Sequence, residues 1–163
     1  MARYPIVYFR NFIFGVEDSL VSTVGLLSGI ATGGVGREGI LLTGVVLILV
    51  EAFSMAVGSF LTESSVEEYS HIEDRKSRPF WGGIVMFVSY LVAGFIPLTP
   101  YIFLRGTTAI YTSIIASLIA LFILGLISGS LSHGGLIRRG ARTLLVGGVA
   151  VAVGAIVGLV FAI

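Results

Sequence analysis

Five long apolar runs, separated by short polar connectors, account for nearly all of this 163-residue chain, which is 56% hydrophobic and 12% charged. Soluble domains carry about 25% charged residues. About 20 apolar residues cross the hydrocarbon core of a bilayer. Inside it every backbone N–H and C=O needs a partner from its own segment, so such runs must be helical. The expected fold class is an all-α membrane protein, a single domain over residues 1–163 with five transmembrane helices. The spans are read at about 12–32, 40–61, 80–96, 107–131 and 143–163. Gly33-Gly34-Val35-Gly36 ends the first, and Pro97-Leu98-Thr99-Pro100 closes the third. Residues 62–79 form a short polar loop, and residues 132–142 a basic one.

The basic residues orient these spans. Arg3 and Arg10 precede the first; Arg75, Lys76 and Arg78 separate the second and third; Arg138, Arg139 and Arg142 separate the fourth and fifth. With five spans all eight fall on one side, leaving only Arg37 and Arg105 on the other. The N-terminus is expected in the cytoplasm and the C-terminus outside it. The net charge of +1 argues against a nucleic-acid partner. The absence of cysteine excludes disulfides and thiolate metal sites. No signal-peptide cleavage pattern follows the first residues, so the first span is expected to be retained.

Small residues recur at spacing four. Gly25, Gly29 and Gly33 do so in the first span, Gly125 and Gly129 in the fourth, and Ala150, Gly154, Gly158 and Ala162 in the fifth. Such stripes let helix backbones approach closely in lipid. They serve packing within one bundle, the commoner use, or a dimer interface.

Three acids lie within the spans: Glu17, Asp18 and Glu51. A carboxylate at bilayer depth costs several kcal/mol unless it meets a partner, water or an ion. Asp18 lies about six residues into the first span, or roughly 9 Å along a helix. Met55 lies about as far from the same face on the second span, which runs the other way. Glu51 is one turn deeper on the face that carries Met55. Two carboxylates and a thioether at one depth suit a divalent transition metal, with iron favoured over harder ions. The same acids can carry protons, and metal and proton then compete for one group. Glu17 points about 100° away from Asp18 on a helix. A structural alternative is a carboxylate–serine network built from Ser19, Ser22 and Ser54.

The polar loop carries Glu63, Glu67, Glu68 and His71, and Glu68-Tyr-Ser-His71 has the spacing that puts two ligands on one helical face. These four are read as possible cytosolic metal ligands, against the blander reading of a solvated helical end. No motif of the common enzymes is present: there is no phosphate-binding Gly-x-x-x-x-Gly-Lys, no His-Glu-x-x-His and no Gly-x-Ser-x-Gly. Catalysis and a permanently bound cofactor are not expected.

The motifs together resemble the vacuolar iron transporter family of five-span metal/proton exchangers. Phe14-Gly-Val-Glu-Asp18-Ser-Leu-Val-Ser22 is similar to its first-helix Gly-x-x-Asp-Gly-Leu. Ala52-Phe-Ser-Met55-Ala-Val-Gly-Ser-Phe-Leu61 is similar to its Ser-Met-x-x-Gly-x-Tyr/Phe-Leu, and Ile96-Pro-Leu-Thr-Pro-Tyr101 to its Pro-Leu-x-Pro-Tyr. Ala120-Leu-Phe-Ile-Leu-Gly125 and Arg139-Gly-Ala-Arg-Thr-Leu-Leu-Val-Gly-Gly148 resemble its last two helices. The resemblance implies a homodimer that exports ferrous iron, and often manganese, from the cytosol in exchange for protons. It implies that the family's membrane Asp and Met are Asp18 and Met55 here. The chain departs from it at Ser19, where the family has Gly, and at Glu17 and Glu51. The long cytosolic metal-binding domain of plant and fungal relatives is reduced to residues 62–79. Short connectors and small size suggest a prokaryotic plasma membrane, with a vacuolar one as the alternative. A non-transporting scaffold, or a channel or proton-coupled carrier for another small solute, are the competing functions.

Overall fold

A computed structural model describes residues 4–69, 78–131 and 135–162. Among these residues the chain is all helical: α1 (Tyr4–Thr32), α2 (Arg37–Tyr69), α3 (Arg78–Phe103), α4 (Gly106–Leu131) and α5 (Leu136–Val160). Each is long and apolar enough to cross a membrane.

The apolar runs locate the helices, but four boundaries move outward. α1 begins at Tyr4 rather than near residue 12, with Pro5 in its first turn, where a missing N–H does no harm. α2 continues past Leu61 to Tyr69, so residues 62–69 are helix and not loop. No Gly or Pro follows Gly58 before Pro79, and a helix need not end where it leaves the apolar layer. α3 runs through Pro97 and Pro100 to Phe103 instead of closing before them. Each proline removes one backbone donor. In a membrane bundle neighbouring hydroxyls can re-satisfy the disturbed backbone. The carbonyls that lose a helical donor are those of Ala93 and Ile96; beside them Ser113 of α4 donates to the Pro97 carbonyl at 2.6 Å, and Thr99 donates to the Phe95 carbonyl at 2.6 Å. α5 begins at Leu136, which places Arg138, Arg139 and Arg142 on its first turns.

The turn after α1 follows from its glycines. Gly34 has φ of 90°. Val35 N–H bonds the Ile30 carbonyl at 3.1 Å and Gly34 N–H the Ala31 carbonyl at 3.3 Å. This is the Schellman closure, with glycine at the left-handed position. Arg37 then donates from Nε to the Tyr101 carbonyl at 2.8 Å, and from its other nitrogen to the Ile102 carbonyl. A cation at the C-terminal end of α3 both bonds its free carbonyls and complements its dipole.

α1 and α3 form the centre. α1 touches all four other helices, whereas α2 lies against α1 and α3 only, and α5 against α1 and α4. Half of the apolar window of α1 and of α3 is buried, against 22% in α2 and 11% in α5. α1, α3 and α5 run parallel, with α2 and α4 antiparallel to them. One end of the bundle therefore gathers Arg10, Arg138, Arg139 and Arg142, and is called the basic end below. Leu27, Ile48, Leu98 and Tyr101 pack together toward the other end.

The small-residue stripes join α1 to α5 within one chain. A Cβ on Gly154 would overlap the Gly25 carbonyl, and one on Gly158 the Gly29 carbonyl. On Gly29 it would stand 2.8 Å from the Gly154 carbonyl oxygen. Gly125 meets Gly140 and Thr143 of α5 in the same manner. Because the obstructing atoms are backbone, they cannot swing aside. Gly154→Val is expected to lower stability by about 3 kcal/mol or more, at the upper end of overpacking costs. The check is loss of the monodisperse peak on size exclusion and a lower melting temperature in detergent.

Candidate functional site

Polar side chains of α1, α2 and α3 converge in three successive levels starting from the basic end. α1 and α3 keep one register throughout: Asn11 meets Gly82, Gly15 meets Met86, and Ser19 meets Tyr90.

At the outermost level Asn11 is 3% exposed. Its amide nitrogen lies 2.6 Å from a Glu63 carboxylate oxygen, 2.9 Å from Ser59 Oγ and 3.2 Å from the Gly82 carbonyl. Ser59 donates to the same Glu63 oxygen at 3.4 Å, and Arg10 approaches it to 3.6 Å. The Glu63 side chain is 13% exposed. Gly82 makes room for it, because a Cβ there would overlap the carboxylate. Glu63, read from sequence as a loop ligand, is thus a helical residue that ties three helices together. Asn11→Leu removes its main donor and is expected to cost about 1–3 kcal/mol, the penalty for a stranded buried acceptor. Thermal unfolding in detergent measures this.

The middle level is a cavity of about 580 Å³. Phe14 of α1, Ser54, Met55 and Gly58 of α2, and Met86 of α3 line it, with Arg10 at its rim. Gly58 has nothing within 4 Å of where a Cβ would stand, so it leaves open space beside Met55.

The deepest level holds the intramembrane acids. The antiparallel register that sets Asn11 opposite Ser59 and Glu63 brings Asp18 level with the turn from Glu51 to Met55. Asp18 and Glu51 are near enough to act on one another, and on the Tyr90 hydroxyl, through their charges. Tyr90 is fully buried. Its hydroxyl and that of Ser22 are 2.8 Å apart, and Ser19 donates to its carbonyl at 2.6 Å. Ser19 and Ser22 therefore serve Tyr90, and among the described residues no hydrogen bond joins Ser19, Ser22 or Ser54 to Asp18 or Glu51, as the alternative carboxylate–serine network would need. Among the described residues the ion pair between Arg10 and Glu63 engages neither Asp18 nor Glu51.

Other candidates stand apart. Glu17 is half-buried on a different face of α1. Glu67 is half-buried and Glu68 exposed on the last turn of α2, while His71 lies outside the described residues. Among the described residues no three His, Asp or Glu side chains gather into a metal cage. Donors other than carboxylate would have to complete any site at Asp18 and Glu51. Sequence reasoning passed over Asn11, Tyr90 and Met86. Asn11 offered a signal as an amide inside an apolar stretch, but Tyr90 resembles any interfacial aromatic residue until α3 is placed beside α1.

Five apolar helices with acids at bilayer depth beneath a cavity define an integral, multi-pass membrane protein. A model of the VIT family matches residues 9–79 and 66–159, and the chain belongs to that family. The two matched segments overlap at residues 66–79, around the α2–α3 connection, where the larger relatives were expected to carry their extra domain. The chain is 25% identical over 157 residues to vacuolar iron transporter homolog 2 of Arabidopsis thaliana, covering 90% of this chain and 80% of that protein. It is 22% identical over 202 residues to vacuolar iron transporter 1 of the same plant, covering 86% and 81%.

Proposed function

We propose that the protein exports a divalent transition metal, ferrous iron and also manganese, from the cytosol in exchange for protons. The observation that carries this reading is the Asp18–Glu51 pair. Two carboxylates on adjacent helices stand at one bilayer depth within range of each other's charge, and among the described residues no ion pair engages either. Two negative charges held so are costly when bare. Either two protons or one divalent cation neutralises them, and each occupant excludes the other. Met55, at the cavity one turn above, supplies a softer donor that favours transition metals over magnesium and calcium. The family membership and the names of the relatives support metal as the cargo. The orientation rests on the basic end facing the cytosol. The short α2–α3 connection suits a prokaryotic plasma membrane.

The working unit is a homodimer. Asp18, Glu51 and Met55 are each partly exposed on the single chain, and Ser54 is exposed beside them. Val50, Ser54, Gly58 and Leu61 form the exposed side of α2 next to Glu51. A second copy laid on it would shield the acids from lipid tails. Because the chain has no cysteine, single cysteines at Val50, Ser54, Gly58 or Leu61 report this directly. At least one is expected to give a disulfide-linked dimer in membranes; failure at all four would remove the dimer from the proposal.

Proteoliposomes loaded with a pH indicator test the function. Uptake of ferrous iron or manganese with simultaneous proton counterflow is expected. Metal flux without proton movement would overturn the exchange, and a folded preparation that moves no metal would overturn the transport.

A further inference from the structure

The chain holds sulfur at three positions, Met1, Met55 and Met86, and has no cysteine. Two of the three line the same cavity. Elsewhere the buried core is built from branched aliphatic residues, such as Leu20, Val24, Leu27, Ile48 and Leu98. All internal sulfur is thus confined to one place, and it comes from two helices. Met86 is 3% exposed, and its position depends on a glycine opposite. A Cβ on Gly15 would stand 3.1 Å from Met86 Sδ and overlap Ser89 Oγ. Gly15 precedes Asp18 by about one turn of α1. The thioether of Met86 therefore sits between the Asn11–Glu63 level and the acids, in the cavity that Met55 enters from α2.

We propose that Met86 is a second thioether ligand, and that Met55 and Met86 form a two-sulfur station above Asp18 and Glu51. Paired thioethers take thiophilic cations: monovalent copper or silver most readily, ferrous iron less so and manganese least. The station sets the order of preference among cations, and the carboxylates supply the charge that moves them. Its place on a transport route rests on the exchanger reading; its binding of soft cations does not.

X-ray absorption at the silver edge, on the full-length protein in detergent loaded with Ag⁺, reads the station directly. With no cysteine present, every sulfur neighbour is a methionine. Wild type is expected to show two sulfur scatterers, Met55→Leu and Met86→Leu one each, and the double variant none. Leucine conserves volume, so these variants are expected to stay folded. Two sulfurs surviving in Met86→Leu, or none in wild type, would overturn the station. In proteoliposomes Met86→Leu is expected to lower the preference for ferrous iron over manganese about tenfold, as loss of a supporting metal contact does. An unchanged ratio would remove its role in selectivity. Silver bound by sulfur in a protein that moves no metal would overturn the exchanger and leave the station standing.

Discussion

On the exchanger reading, Asp18→Asn is expected to lower metal flux by about 100-fold or more, while the protein stays folded and melts no lower than wild type. The flux falls because a neutral amide cannot balance a divalent cation and cannot exchange a proton. On that reading the ligand and the proton carrier are one group, so a single substitution removes both. The stability argument has the opposite sign. An intramembrane Asp costs about 2.5–3.5 kcal/mol at the centre of a span. Neutralising it also relieves its repulsion with Glu51. A scaffold whose acids join helices behaves differently, since removing one partner of a buried pair costs about 3–5 kcal/mol. Flux assays and melting curves on the same preparation separate the two. A clear fall in melting temperature with flux intact would point to the scaffold.

The second large effect concerns coupling. If Asp18 and Glu51 each release one proton when a divalent cation binds, exchange is electroneutral. Each proton then contributes about 1.4 kcal/mol per pH unit, and two give a metal ratio of about 100-fold across a one-unit gradient. A membrane potential leaves that ratio unchanged. Glu51→Gln retains one exchangeable proton, so the ratio drops to about tenfold. The exchange then carries one net charge, worth about 2.3 kcal/mol per 100 mV. Equilibrium metal ratios at set pH gradients, with and without a valinomycin-imposed potential, measure both quantities. A wild-type ratio that follows the potential would exclude the two-proton scheme. Acidifying the metal-loading side weakens uptake in either variant, because protons compete for the same oxygens.

The acids were legible in the sequence because a carboxylate in an apolar run is expensive and therefore conspicuous. Their grouping was only partly legible. Asp18, Glu51 and Met55 follow from depth alone, since residue counts along antiparallel spans give depth directly. Glu63 was misplaced because its polarity suggested a loop; the structure continues α2 through it and binds it to Asn11 and Arg10. Pro97 and Pro100 were read as a stop because the rule about prolines is local. The helix is held through them by packing that is not local, including the Ser113 hydroxyl of α4 on the Pro97 carbonyl. Tyr90 and Met86 could not be singled out before α3 was known to lie between α1 and α2 in register with Asn11, Gly15 and Ser19.

The sequence by itself determined that the chain crosses a membrane as five helices, and which residues carry charge into it. Helix formation in lipid is a local matter, because each segment must satisfy its own backbone whatever its neighbours do. Tertiary structure alone decided which faces meet. The glycine stripe of α1 could have served a second chain as readily as α5. Backbone fit, Gly25 and Gly29 against Gly154 and Gly158, assigned it to α5 of the same chain. That choice leaves the acid-bearing side of α1 and α2 uncovered, with both internal sulfurs in the cavity beside the carboxylates. Packing in lipid has no hydrophobic drive to choose partners. The shapes of helix surfaces choose instead, and they can be judged only in three dimensions.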